Sequence, residues 1–147
     1  MLRFDHGVDR KFLVGQLSWF VGWVIVTAIG AYLKPSSQGH GTHQQLGLPP
    51  CPSVFMFGRL CPGCGMTTAF SATIKGDFAT AWNANPFGTL GYVLFTISAI
   101  LAIYGWIKGI KIDTNTKPYN IGISILIGSF ILFGAYRFFL MPVYTTP

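Results

Sequence analysis

The chain has 147 residues, of which 51% are hydrophobic, 16% aromatic and only 10% charged, with a mean hydropathy of +0.51. A soluble domain carries about 25% charged residues, so this composition excludes an ordinary water-soluble globule and fits a protein that turns much of its surface to lipid. The net charge of +6 is spread along the chain, without a basic stripe or interleaved stacking aromatics, which argues against nucleic acid as a partner; loops facing anionic lipid headgroups account for it.

Arg3, Arg10 and Lys11 precede the first apolar run, Phe12 to Leu33, which contains no charge. A helix of about 20 apolar residues crosses a bilayer core, and this run is long enough. It exceeds the apolar core of about 7–15 residues found in signal peptides, and no clear small-x-small cleavage pattern follows, so it reads as a retained helix. Lys34-Pro35 stops it, because proline lacks an amide and restricts the residue before it. Trp19 and Trp23 stand one helical turn apart and are expected to face lipid, with a partner or a pigment as the alternative.

The loop that follows spans residues 34–86. Its first part, Pro35 to Pro50, is rich in Ser, Gly, Gln and Pro, is expected to be irregular, and holds His40 and His43. Cys51-Pro52 and a short apolar piece, Val54 to Phe57, lead to the knuckle Cys61-Pro62-Gly63-Cys64-Gly65. Met66 to Ile74 has helical character and Gly76 stops it. Asp77 is placed to cap a second short helix, Phe78 to Asn83. Phe70, Ile74, Phe78 and Trp82 recur every four residues, an apolar face suited to the membrane interface or to the protein's own spans.

Asn85-Pro86 reads as an N-cap followed by a first-turn proline, opening the second apolar run, Phe87 to Ile107. Lys108, Lys111 and Lys117 lie in the short connector. The third run, Ile121 to Met141, is expected to be capped by Asn120 and ended by Pro142, and Arg137 alone interrupts it. The polar segments are too few to coat three such helices in water. The expected fold is therefore an all-α integral membrane protein forming a single membrane domain over residues 1–147, its loop bearing short interfacial helices. The lysine and arginine distribution places the N-terminus and the lysine connector in the cytoplasm, and the cysteine loop and C-terminus outside the inner membrane. Gly15, Gly22 and Gly30, Gly105 and Gly109, and Gly122, Gly128 and Gly134 offer close helix approach. Arg137 is expected either to snorkel or to form a structural ion pair with Asp77, the acidic residue expected on the same side.

All three cysteines fall in this one loop, and three readings stay open. Cys61 and Cys64 form a half-site for metal, with Cys51 as a third ligand and His40 or His43 as a fourth, zinc being the natural ion; Met56 and Met66 add soft sulfur suited to Cu(I). Alternatively, Cys51 forms a structural disulfide with Cys61 or Cys64 in an oxidising compartment. A redox dithiol is the third reading, although the βαβ context of thioredoxin-like motifs is absent. Gly65 stands where a c-type haem motif needs histidine.

The order Cys51-Pro52, Cys61-Pro-Gly-Cys-Gly-Met-Thr67, Lys75-Gly-Asp77 and Asn85-Pro86 resembles the bacterial membrane proteins grouped as domain of unknown function 2752. The resemblance covers roughly Cys51 to Gly91 and a following helix. It implies a small membrane protein with a cysteine loop, and no reaction. Members usually carry arginine after the knuckle threonine, where this chain has Thr68.

A nucleophile–base constellation, a phosphate loop and paired carboxylates are all missing from the sequence, so an enzyme is not expected. Charges near the midplane of the spans, which mark ion paths, are missing too, so a transporter is not expected. The leading expectation is a small accessory or scaffold subunit of a larger membrane complex or homo-oligomer, its loop ordered by a disulfide or a metal. The alternative is a metal-binding or thiol-redox membrane protein.

Overall fold

A computed structural model describes residues 3–6, 10–113 and 117–141. Helix α1 (Arg10–Tyr32) leads through a 3₁₀ turn (Thr42–Leu46) into three short helices, α2 (Pro52–Phe57), α3 (Met66–Ile74) and α4 (Phe78–Ala84). The long helices α5 (Pro86–Lys108) and α6 (Lys117–Leu140) complete the chain. Three helices, Lys11–Tyr32, Pro86–Lys108 and Lys117–Leu140, are long and apolar enough to cross a membrane. The all-helical membrane architecture is as expected.

One element lies outside that expectation. Strands β1 (Arg3–His6) and β2 (Ile110–Asp113) form an antiparallel ribbon in which Arg3 pairs with Asp113 and His6 with Ile110. The ribbon ties the N-terminal segment to the far end of α5, so these two segments share one end of the bundle and the cysteines lie toward the other.

Most helix boundaries follow the local signals. Asn85 caps α5 by accepting from the Gly88 amide, with Pro86 in the first turn, and Asp77 caps α4 by accepting from the Thr80 amide. Helix α6 departs from expectation. It starts at Lys117 rather than Ile121, and Asn120 lies inside it, its carbonyl accepting from Ser124. Lys117-Pro118 places a proline in the first turn, where its missing amide costs nothing. Pro142 lies outside the described residues.

Helices α1 and α5 are joined by a ladder of polar contacts. Trp19 donates its indole N–H to Ser98 Oγ and Trp23 donates to Thr96 Oγ1, both at 3.0 Å. Thr27 Oγ1 and Tyr92 Oη lie 2.8 Å apart. Ser98 and Thr96 in turn donate to the carbonyls of Phe95 and Tyr92, which frees their lone pairs to receive the indoles. Lipid supplies no alternative partner, so the ladder aligns the two helices at about 0.6 kcal/mol per bond. The indole N–H groups of the two tryptophans thus anchor α1 on α5, while Trp19 keeps 52% of its surface exposed, as expected of a lipid-facing ring. At the ribbon end Gln16 donates to the Ile110 carbonyl across Gly105, where a Cβ would crowd both groups.

The core sits at the loop end and is built largely from small residues. Ala69, Ala72, Ala81 and Ala84 are buried there with Leu33, Leu60 and Tyr92, while Ala99 and Ala102 are buried further along α5 toward the ribbon. Helix α3 lies at its centre, packed on α1, α4 and α5. Ser71 Oγ and Lys75 Nζ both donate to the Leu33 carbonyl at the end of α1, satisfying an acceptor that the helix end leaves open. The apolar face expected along α3 and α4 divides: Phe70 packs on Tyr92 and Ile74 meets Gly30, whereas Phe78 and Trp82 are exposed.

Helix α6 is attached through its second half. Phe130 and Phe133 flank Phe87 at ring distances of 5.8 and 5.1 Å. Gly134 lies against the ring of Pro62, and Arg59 donates to the carbonyls of Phe138 and Phe139 at the helix C-terminus. The small residues of α6 are therefore not equivalent: a Cβ at Gly134 would collide with Pro62, whereas one at Gly128 meets nothing. Gly134→Ala should destabilise the protein by about 1–3 kcal/mol through overpacking, and Gly128→Ala should leave it unchanged or slightly firmer. Thermal unfolding followed by tryptophan fluorescence checks the contrast; equal responses would show that α6 does not rest on the knuckle.

Candidate functional site: a three-thiol cluster braced by Asn85 and Arg137

The three cysteines reach one point from three local structures. Cys51 is the N-cap of α2, immediately before Pro52. Cys61 opens the knuckle turn, which closes through the Cys64 amide on the Cys61 carbonyl at 3.0 Å. Cys64 is buried just before α3. Gly65 makes the passage into α3 possible: its φ is +82°, and a Cβ there would press on the carbonyls of Ala84 and Gly39.

The Sγ atoms of Cys51 and Cys61 lie 3.5 Å apart, those of Cys61 and Cys64 3.2 Å, and all three fall within 4.8 Å of one another. All three are free thiols. A disulfide holds its sulfurs at about 2.05 Å, whereas thiolates sharing one metal at about 2.3 Å stand about 3.8 Å apart in a tetrahedral arrangement. The cluster is close to the second spacing. The histidines offered as a fourth ligand go elsewhere: His43 Nε2 contacts the Pro49 carbonyl and His40 Nδ1 the Gln38 carbonyl. Among the described residues the metal-competent group is Cys51, Cys61 and Cys64.

The three thiols differ chemically. Burial raises the Cys64 thiol strongly, and its contacts with Cys61 and Cys51 raise it further. Burial also works against ionising Cys51. There, however, hydrogen bonds from Cys64 and Cys61 and from the amides of Ser53 and Val54 prevail, and hold that thiol below its ordinary range. Between these two sulfurs, negative charge settles on Cys51 before Cys64.

The knuckle is held from outside by two side chains. Asn85 is fully buried and donates through Nδ2 to the carbonyls of Pro62 and Cys64, at 3.0 and 3.1 Å, while its Oδ1 caps α5. Arg137 is 5% exposed and donates through Nη1 to the same Cys64 carbonyl at 2.8 Å and through Nη2 to the Ala84 carbonyl at 3.4 Å. Its guanidinium also stands over the Phe133 ring at 5.4 Å. Neither brace was legible from side-chain patterning, since the acceptors are main-chain carbonyls; the capping signal at Asn85 was the only hint.

Arg137 and Asp77 were expected to pair or the arginine to snorkel. Arg137 turns inward to the two carbonyls, and Asp77 lies exposed, its carboxyl held below the usual range by the hydroxyl and amide of Thr80.

Two outcomes follow from this geometry. In a double-mutant cycle, the effects of Asp77→Ala and Arg137→Ala on stability should add, because the two side chains serve different partners; a coupling term would restore the pair. After treatment with a chelator, Cys51 should be alkylated by iodoacetamide before Cys64, and below the pH at which an ordinary cysteine reacts. Peptide mapping against pH reads the order, and simultaneous reaction of the two would contradict the assignment.

Residues 51–99 match the family described as Protein of unknown function (DUF2752), a stretch that runs from Cys51 through the knuckle, α3, α4 and Asn85 into α5. No curated protein and no solved structure matches the chain. The match takes in all three cysteines and Asn85 but stops before α6, so the chain is similar to this family over the thiol site, whereas Arg137 lies beyond the matched stretch.

Proposed function

We propose that the protein is a membrane-anchored soft-metal site, in which Cys51, Cys61 and Cys64 supply three thiolates to one ion. The observation that carries this reading is the convergence of the three sulfurs within 4.8 Å on a loop whose main chain is braced by buried side chains. An all-sulfur donor set suits d¹⁰ ions, Zn(II) or Cu(I), and disfavours hard ions. Three protein ligands leave a coordination position for water or an exogenous ligand, which is the arrangement of an exchangeable site rather than a closed structural one. Because Cys64 holds its proton tightly, loading releases protons, and affinity rises with pH.

Orientation belongs to the same proposal. The lysine-rich connector and the N-terminal segment share the ribbon end, and the positive-inside rule assigns that end to the cytoplasm and the thiol site to the opposite face of the membrane. There a reduced thiol cluster lasts only if it is metallated or protected, which favours a bound ion over free thiols.

A second reading, an accessory subunit of a larger membrane complex, draws on α6. Its first half, including Ile121, Ile123, Ile125 and Ile127, is exposed, and Gly122 and Gly128 leave open space beside it. Such a surface suits a helix from another subunit as well as lipid.

Intact-mass analysis after denaturing alkylation without reductant, paired with metal analysis of the native protein, tests the main proposal. The expected result is three alkyl adducts and one equivalent of Zn or Cu, with the metal lost on Cys51→Ser, Cys61→Ser or Cys64→Ser. A single adduct with no metal would mean a disulfide, and would end the metal reading.

A further inference from the structure

Helix α2 carries an exposed apolar cluster outside the spans. Phe55, Met56 and Phe57 are 80%, 69% and 57% exposed, and the chain has no Asp, Glu, Lys or Arg between Lys34 and Arg59. Successive helical residues are offset by about 100°, so these three side chains sweep about 200° of the α2 surface. A groove on another protein takes a one-sided stripe of anchors at positions i, i+3 and i+4. An apolar surface that turns this far round a helix suits a medium that encloses it.

The depth of α2 follows from its attachment to α6. Phe57 meets the Phe138 ring edge to face at 6.0 Å. Arg59 donates to the carbonyls of Phe138 and Phe139 at 2.7 and 3.1 Å. Helix α6 is long and apolar enough to cross a membrane. Its first turn, Lys117 to Asn120, is polar, and the turns from Ile121 to Leu140 rise about 30 Å, the thickness of a hydrocarbon core. Phe138 therefore stands at the far edge of that core, where Phe139 and Leu140 are also exposed. The apolar surface of α2 continues the lipid-facing surface of α6 at the same depth.

The main chain of α2 also suits such a medium, in which unpaired amides are costly. Pro52 has no amide, and those of Ser53 and Val54 turn to the Cys51 sulfur. The amides of Phe55, Gly58 and Arg59 donate to the carbonyls of Cys51, Val54 and Ser53. The Ser53 hydroxyl donates to the Arg59 carbonyl. We propose that α2 is a lipid anchor. Phe55, Met56 and Phe57 insert into the leaflet at the thiol end of the spans, beside the last turn of α6, and hold Cys51, the N-cap of α2, at the membrane surface. The apolar side chains set this placement whether or not the thiols carry a metal.

The test uses the full chain, isotope-labelled at its methionine methyl groups, in nanodiscs of phosphatidylcholine and phosphatidylglycerol. Met56 is one of four methionines. Its methyl resonance is assigned by its loss in Met56→Leu or, should that variant not fold, in Met56→Gln. One reagent is phosphatidylcholine carrying a nitroxide near the top of an acyl chain, and the other is a neutral, water-soluble gadolinium chelate. The Met56 methyl should lose most of its intensity to the nitroxide lipid and keep most of it in the presence of the chelate. That result supports insertion of α2 into the leaflet. Loss to the chelate alone would put α2 in water, loss to neither reagent would bury it in a protein contact, and loss to both would leave it no deeper than the headgroups. Each of these three results overturns the proposal.

Discussion

The carbonyl of Cys64 is the point on which the loop end of this protein turns. It accepts from Asn85 Nδ2 and from Arg137 Nη1, and so joins the knuckle, the start of α5 and the end of α6. Each donor also has a second task at a neighbouring site. Asn85 caps α5 and holds the Pro62 carbonyl, and Arg137 reaches Ala84 at the end of α4. Four elements are thereby registered to within hydrogen-bond tolerance around one peptide group. The three sulfurs converge because the peptide that carries Cys64 cannot drift.

This bracing explains why a membrane protein with so little loop sequence has an ordered cap. Polar groups withdrawn from water must find partners in the protein, and in this core the partners are mostly backbone. Ser71 and Lys75 go to the Leu33 carbonyl, Gln45 to that of Lys34, Arg59 to the last turn of α6. Side chains in the loop thus close the open ends of the long helices. The same principle operates deeper in the bilayer, where the tryptophans of α1 meet hydroxyls of α5. Helix α6 lacks a comparable ladder among the described contacts and depends on its loop-end attachment.

What could be read from sequence follows the range of the interactions. The spans, the Asn85-Pro86 start and the Asp77 cap rest on neighbouring residues, and were legible. So was the candidacy of the cysteines, because soft-ligand chemistry is carried by the residue type itself. The roles of Arg137 and of the two tryptophans were not legible, because each depends on a partner some 53 to 79 positions away, and a carbonyl leaves no mark in a sequence. His40 and His43 had the right chemistry for a fourth ligand, but the turn that carries them closes locally on the carbonyls of Gln38 and Pro49. The ribbon was hidden for a related reason: a ladder of main-chain bonds at the end of a bundle needs no pattern of apolar residues. Lys117 obscured the start of α6, since a charge at a helix end looks like a connector when only the apolar run is followed.

The position of Arg137 against the peptide of Cys64 has a chemical consequence. The hydrogen bond to the Cys64 carbonyl sets the guanidinium beside a cluster whose proposed loaded form is anionic. Three thiolates around Zn(II) carry one negative charge, and around Cu(I) two. A fixed cation bonded to the peptide of one ligand favours the deprotonated, loaded cluster over the neutral thiols. It does so most for Cys64, the sulfur that burial makes hardest to ionise.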